Sequence, residues 1–174
     1  LKKLTEDLVE ASKASSGSMP VHLARTDVNV LLSQLAGEYA DKLTAAQLDA
    51  VFKPDPAQPQ IEADGQLLSR VLGNLFSNIC KYAMPGTRVY FESASDEKNV
   101  TLTFKNISKY ELDIPAEELM ARFVRGDRSR HTEGSGLGLS IAQSLTELQG
   151  GAFHIEVDGD LFKAIVAFPR ALEA

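Results

Sequence analysis

Residues 74–82 read Asn-Leu-Phe-Ser-Asn-Ile-Cys-Lys-Tyr, and residues 134–139 read Gly-Ser-Gly-Leu-Gly-Leu. These two stretches carry the groups best suited to chemistry. The first predicts a helix. At about 100° per residue, Leu68, Leu72, Leu75 and Ile79 share one face. Asn74, Asn78 and Lys81 fall on a neighbouring edge, with Tyr82 close by. Asn is a poor helix former, so two of them one turn apart beside an apolar stripe carry a cost. An amide oxygen is a hard, neutral ligand, suited to Mg²⁺, which keeps several waters and takes few protein ligands. Lys81 can set a point charge on a phosphate, and the Tyr82 ring can cover a base or a ribose. The plainer alternative is that both amides bond buried backbone.

Gly134-x-Gly136-x-Gly138 matches neither the Lys-bearing phosphate loop nor the dinucleotide fingerprint that follows a strand. Its physics still suits phosphate. Glycines let backbone N–H groups approach an anion, and a helix opening at Gly138 offers its positive end. Arg122, Arg125, Arg128 and Arg130 lie just upstream and supply guanidinium forks for phosphate oxygens. The alternative here is a flexible linker with solvated arginines. Taken together, the two stretches point to a nucleotide site built without the usual lysine loop.

Several elements must position these groups. Leu1, Leu4, Leu8 and Ala11 predict a helix over 1–14, broken by Ser15-Ser16-Gly17-Ser18 and Pro20. Residues 1–19 read either as the end of a preceding element plus a linker, or as an N-terminal helix packed on the domain. Val21 to Arg25 reads as a short strand. Asp27 is placed to cap a helix carrying Val28, Leu31, Leu32, Leu35, Tyr39 and Leu43. Leu48–Phe52 and Gln60–Glu62 are short strands around Pro54, Pro56 and Pro59. Asp64 caps the Asn-bearing helix, which Met84-Pro85-Gly86 stops. Arg88–Ser93 and Val100–Lys105 alternate and read as a hairpin. A long polar stretch follows, with a short helix at 116–121, and a loop of that length in a domain is usually functional or disordered. Gly138–Leu148 is a helix ended by Gly150-Gly151. Phe153–Val157 and Phe162–Phe168 close the chain as a second hairpin. The expected fold is an α/β (α+β) two-layer sandwich over 20–174, a mixed, mostly antiparallel sheet with its helices on one face.

The 174 residues allow one domain with a sizeable core. A net charge of −6 argues against a general nucleic-acid binder, because phosphate contacts along a duplex need clustered Lys and Arg. One cysteine excludes an internal disulfide framework and fits a reducing compartment. No apolar run approaches the roughly 20 residues of a membrane span. The chain begins at Leu1 and reads as a fragment of a longer protein.

The order of the motifs closely resembles the catalytic ATP-binding domain of bacterial sensor histidine kinases, within the GHKL ATPase superfamily. The resemblance covers roughly residues 20–170. Residues 74–82 match that family's N box, Asn-Leu-x-x-Asn-x-x-Lys-Tyr. The match implies ATP and Mg²⁺ as cofactors. It makes Asn78 the metal ligand, sets Asn74 beside the phosphates and Lys81 against them, and has Tyr82 border the nucleotide. Phe123, in Arg-Phe-Val-Arg-Gly-Asp, matches the F-box phenylalanine of a mobile ATP lid, here about 107–136. Arg130 stands where the family places a phosphate-contacting arginine. Gly134, Gly136, Leu137, Gly138 and Leu139 match the G2 box. One box departs. The family's Asp-x-Gly-x-Gly, whose Asp accepts from the adenine amino group, is here Asn106-Ile107-Ser108-Lys109-Tyr110. Asn106 can still accept through its side-chain oxygen, but both glycines are absent.

The resemblance further implies transfer of the ATP γ-phosphoryl group to a histidine on an upstream dimerisation domain, then passage to a response regulator. His22, His131 and His154 have no phosphoacceptor context. Residues 1–14 resemble the end of the dimerisation hairpin's second helix, so the acceptor is expected upstream. The parent is expected to be a membrane-anchored homodimer with this domain in the cytoplasm, and the fragment alone to be monomeric. Three rivals share these boxes. A gyrase-like ATPase carries a Glu to activate water where this chain has Asn74. An anti-sigma-type serine kinase lacks an upstream hairpin. A degenerate, non-catalytic module binds nucleotide or partners only.

Overall fold

Two aspartates start the long helices of the domain, and both do so by the same chemistry. Asp27 Oδ1 accepts from Asn29 N and Val30 N, and Asp64 Oδ1 accepts from Gln66 N and Leu67 N. Each fills backbone donors that a helix start leaves unsatisfied. In the computed structural model, which describes residues 2–112, 115–124 and 137–172, the element order is as follows. Helix α1 (Lys2–Ser16) precedes β1 (Ala24–Asp27), α2 (Val28–Ala45), β2 (Asp49–Lys53), β3 (Gln60–Ala63) and α3 (Gly65–Tyr82). Strands β4 (Arg88–Ser95) and β5 (Asn99–Ile107) come next, then α4 (Ala116–Val124), α5 (Gly138–Leu148), β6 (Ala152–Asp158) and β7 (Leu161–Pro169).

The main sheet has five strands in the order β2-β4-β5-β7-β6. Only β2 pairs in parallel, with β4; the other neighbours are antiparallel. β4, β5 and β7 alternate strictly between buried and partly exposed positions. That is the signature of a sheet with one face covered. The covered face carries Val89, Phe91, Val100, Leu102, Phe104, Phe162, Ala164, Val166 and Phe168. Helix α3 lies over it and buries Leu68, Val71, Leu72, Leu75, Phe76 and Ile79. Phe76 stacks on Phe91 at 4.5 Å and meets Phe104 edge-on at 5.2 Å, so three aromatic rings lock α3 to β4 and β5. The fold is therefore the expected mixed, mostly antiparallel sheet with its helices on one face.

Two features differ from the sequence reading. The first strand is Ala24–Asp27 rather than Val21–Arg25, and it pairs with β3 in a separate two-stranded ribbon. His22 to Arg25 are exposed, so neither face of this segment is selected by burial and its alternation carries no register information. The strands of the first hairpin also run longer than expected, to Ser95 and from Asn99, because Asp96 closes the turn by accepting from Lys98 N and Asn99 N.

Helix α1 packs against the domain. Ala14 is buried, and Leu4 and Ala11 pack on the core. Asp7, only 3% exposed, pairs with Arg70 of α3 at 3.1 Å, and Glu10 pairs with the same guanidinium at 2.8 Å. Leu8, at the flank of this packed face, and Val9, opposite it, are exposed. No helix among the described residues is long and apolar enough to cross a membrane.

Candidate nucleotide site

Helix α3 carries three of the four N-box side chains on the edge of its buried stripe, and its start is unusually well fixed. The Asp64 carboxylate accepts from His22 N through Oδ2 as well as capping α3 through Oδ1. Its own N–H donates to Gln149 Oε1, and Gln149 Nε2 donates to Leu145 O in α5. The backbone N–H of His22, then those of Leu67 and Gln66, stabilise the charged form and hold the Asp64 carboxyl below the usual carboxylate range, against the opposing effect of burial. The Gln149 side chain, accepting from the Asp64 backbone N–H, thus ties the start of α3 to the end of α5.

Toward the other ends of α3 and α5 the two motifs meet. Asn74 is buried and its Nδ2 donates to Gly138 O at 3.1 Å, joining the N-box helix to the first residue of α5. For Asn74, then, the plainer alternative of a backbone bond holds, and the backbone it bonds is that of the G2 box. Asn78 and Lys81 follow on the same edge of α3, both partly exposed, and Tyr82 closes the helix. Leu137 stands at the N-cap position of α5 and supplies no side-chain hydrogen bond to its first turn. Anion binding at a helix start uses such backbone donors. A Cβ built on Gly138 would meet nothing within 4 Å among the described residues, so none of them demands the glycine. The missing side chain leaves open space at a helix start, which is where a phosphate would approach.

The third wall is the end of β5. Met84 N donates to Ile107 O at 2.7 Å, Lys109 N to Tyr82 O at 2.8 Å, and Ala83 and Ser108 form an antiparallel bridge. The backbone after α3 is therefore zipped onto the end of β5. Asn106 lies on the covered face of that strand, in step with Leu102 and Phe104. It is 2% exposed, and its Oδ1 is buried with no hydrogen-bond partner among the described residues. A buried acceptor left unbonded costs about 1–3 kcal/mol, so the position fits a donor that arrives with a ligand. The residues present fit a nucleotide: an unfilled acceptor, a helix start open to an anion, a lysine, and a hard amide oxygen at Asn78.

Of the residues sequence reasoning brought together, the structure bonds Asn74 to Gly138 and ties Tyr82 to the segment that follows Asn106; Asn78 and Lys81 lie between these two points on α3, and Leu137 and Leu139 flank Gly138. Phe123 falls in α4 by its backbone. Arg130, Gly134 and Gly136 lie outside the described residues, as does His131. His154 sits exposed in β6, near Glu156, an ordinary edge-strand position. His22 precedes β1 and serves through its backbone. Two contributors were not anticipated. Tyr110 meets the Tyr82 ring edge-on at 6.5 Å, and Ser108 Oγ accepts from Tyr110 N. Neither stands in a periodic segment, so the only signal was a lone aromatic in a polar stretch.

Comparison with known proteins gives the same picture. The profile described as "Histidine kinase-, DNA gyrase B-, and HSP90-like ATPase" matches residues 63–170. Sensor histidine kinase HprS of Escherichia coli is 34% identical over 87% of this chain and 33% of its own length. Signal transduction histidine-protein kinase BaeS, also of Escherichia coli, is 29% identical over 87% of this chain and 32% of its own length. The chain thus spans about a third of the curated relatives it matches. Among solved structures, the Acinetobacter baumannii histidine kinase AdeS superposes with a TM-score of 0.74 at 16% identity, over 97% of this chain and 77% of that one. Histidine kinase ThkA, solved in complex with the response regulator TrrA, gives 0.75 at 20% identity, over 98% of this chain and 47% of that one. With the profile spanning more than half of the chain and the N-box and G2-box helices meeting at one end of the sheet, this chain belongs to the histidine kinase-, gyrase B- and HSP90-like ATPase family, as an ATP-binding domain of the bacterial sensor histidine kinase type.

Proposed function

We propose that this domain binds ATP with Mg²⁺ and transfers the γ-phosphoryl group to a histidine on an upstream dimerisation domain of a longer protein. The observation that carries this reading is the Asn74–Gly138 hydrogen bond, which holds the amide-bearing helix and the open helix start of α5 at one site. Asn78 would hold the metal through its amide oxygen. When bound, Mg²⁺ neutralises charge on the phosphate oxygens. Lys81 and Arg130 add positive charge there, and the Gly134–Gly138 backbone offers N–H donors. Tyr82 borders the base, and Asn106 accepts from it. Phe123 belongs to a lid in the stretch expected over about 107–136, beyond the anchored Ile107–Lys109, that closes on nucleotide. Asn74 cannot take a proton from water as a Glu in its place could, which favours transfer to an incoming acceptor over hydrolysis. The parent is a membrane-anchored homodimer with this domain on the cytoplasmic side, and it passes the phosphoryl group to a response regulator. TrrA seated on ThkA is a precedent for such a complex in a protein of this fold.

Two experiments test the reading. Calorimetric titration should show Mg²⁺-dependent ATP binding that Asn78→Ala abolishes. The full-length parent, given ATP labelled in the γ position, should acquire an acid-labile, base-stable phosphoryl group. One observation favours a second reading, a module that only binds partners: the glycines expected after Asn106 are absent. A chain that binds no nucleotide under any condition would decide for it.

A further inference from the structure

The buried amide at Asn106 has a consequence for which nucleotide the site can take. We infer that the site admits 6-oxopurine nucleotides beside adenine nucleotides, with Asn106 as the residue that reads the 6-position of the base. The inference rests on the nucleotide-binding reading above and specifies the substrate class of that same site.

Asn106 is 2% exposed, and its Oδ1 is a buried side-chain acceptor with no hydrogen-bond partner among the described residues. A base amino group directed at this oxygen would satisfy it. A carboxylate at the same place would accept only. Opposite a 6-oxo group, a carboxylate sets acceptor against acceptor with nothing between them, and a buried mismatch of that kind rejects the ligand strongly. An amide carries both functions. Its terminal torsion is broad and close to two-fold, so a half-turn exchanges Oδ1 for Nδ2 with little change of shape. With Oδ1 forward it accepts from the 6-amino group of adenine. With Nδ2 forward it donates to the 6-oxo group of hypoxanthine or guanine. No bond to Oδ1 fixes the amide in one sense.

The backbone frame around this side chain is fixed, whereas no bond to Oδ1 fixes the sense of the amide. Ile107 O, Ser108 and Lys109 N are each bonded or bridged to Met84, Ala83 and Tyr82. The segment that lacks the two glycines is thereby held against the end of α3. Base choice at the 6-position therefore falls on the Asn106 amide.

The test is equilibrium titration of the chain with ATP, ITP and GTP, each with Mg²⁺, on the natural sequence and on Asn106→Asp. Expected are dissociation constants for ITP and ATP within about tenfold of each other, and a loss of ITP affinity relative to ATP of more than about tenfold in Asn106→Asp. ITP binding with exclusion of GTP still supports the inference and identifies the 2-amino group as what is refused. A preference for ATP over ITP of about a hundredfold or more in the natural sequence overturns it, as does an ATP-to-ITP ratio that Asn106→Asp leaves unchanged. Binding of ATP alone sinks this inference and leaves the proposed function standing, whereas binding of no nucleotide sinks both. If Asn106→Asp does not fold, Asn106→Leu replaces it and should weaken ATP and ITP alike.

Discussion

Asn78 and Asp64 lie on one helix and are expected to fail in different ways. Asn78 is partly exposed on the edge of the buried stripe of α3. Asn78→Ala should leave urea stability within about 0.5 kcal/mol, the usual range for surface changes, while Mg²⁺-dependent ATP affinity falls by more than about tenfold. Unchanged affinity would remove Asn78 from the metal site. Asp64 is structural. Its carboxylate caps α3 and also holds His22 N, so Asp64→Ala should cost about 2 kcal/mol in urea unfolding, the upper end for a lost cap. Its pKa in the folded chain lies below that of an ordinary aspartate. Its stabilising contribution is thus complete above the unfolded value, about pH 3.9, and is lost as pH falls through the lower folded value. Asp64→Asn should flatten the loss of stability below about pH 4, and an acid limb identical to that of the natural sequence would refute the assignment.

At the scale of elements, the joint between α5 and β6 leaves no room for a side chain at Gly151. Gly150 takes a φ of +87°, which ends the helix, and Gly151 lies against the sheet. A Cβ on Gly151 would stand 2.8 Å from the Phe168 ring and 3.0 Å from Ala167 O. Gly151→Ala should therefore cost about 1–3 kcal/mol, as overpacking does, whereas Gly138→Ala, with nothing near, should cost well under 1 kcal/mol and show its effect in nucleotide affinity. Thermal unfolding of the pair separates the two cases. The same elements show what was legible in the sequence. The Asp64-capped helix, the Gly138–Leu148 helix and both hairpins could be read because burial on one face writes a period into the chain. The N box and G2 box were legible as chemistry because amides and glycines are costly where they stand. β1 was misplaced because an exposed ribbon writes no period. The Asp64–Gln149 bond and the Asn74–Gly138 bond join residues far apart in sequence, and nothing local encodes them.

For the molecule as a whole, α1 is the element whose attachment depends most on charge. Arg70 holds both Asp7 and Glu10, and the Arg70 side chain is itself partly exposed. Arg70→Ala would take a guanidinium away from the buried Asp7 and from Glu10, while Lys3 keeps its contact with Asp7 at 3.1 Å. Undocking the helix is the cheaper response. Expected are faster proteolysis at Ser15–Ser18 and faster amide exchange in α1, with the unfolding midpoint of the sheet little changed. Slow cleavage that matches the natural sequence would show that Leu4, Ala11 and Ala14 suffice to hold it.

The pairing of β5 with β7 runs from Asn99↔Pro169 to Ile107↔Leu161 and forms the centre of the sheet. Everything from Ser108 to the start of β6, including α4 and α5, leaves the sheet from one strand end and returns to it beside the same pair. In polymer terms this is a segment closed between β5 and β6, each of which pairs with β7. Closing such a loop costs only about 0.6 kcal/mol more for each doubling of its length. Added length between β5 and α5 therefore carries little closure cost, provided α5 keeps Leu139, Ile141, Ala142 and Leu145 in the core. Folding stability and the rate at which the site is used can drift apart under mutation, one written into strand pairing and the burial of α5, the other into the length of chain that joins them.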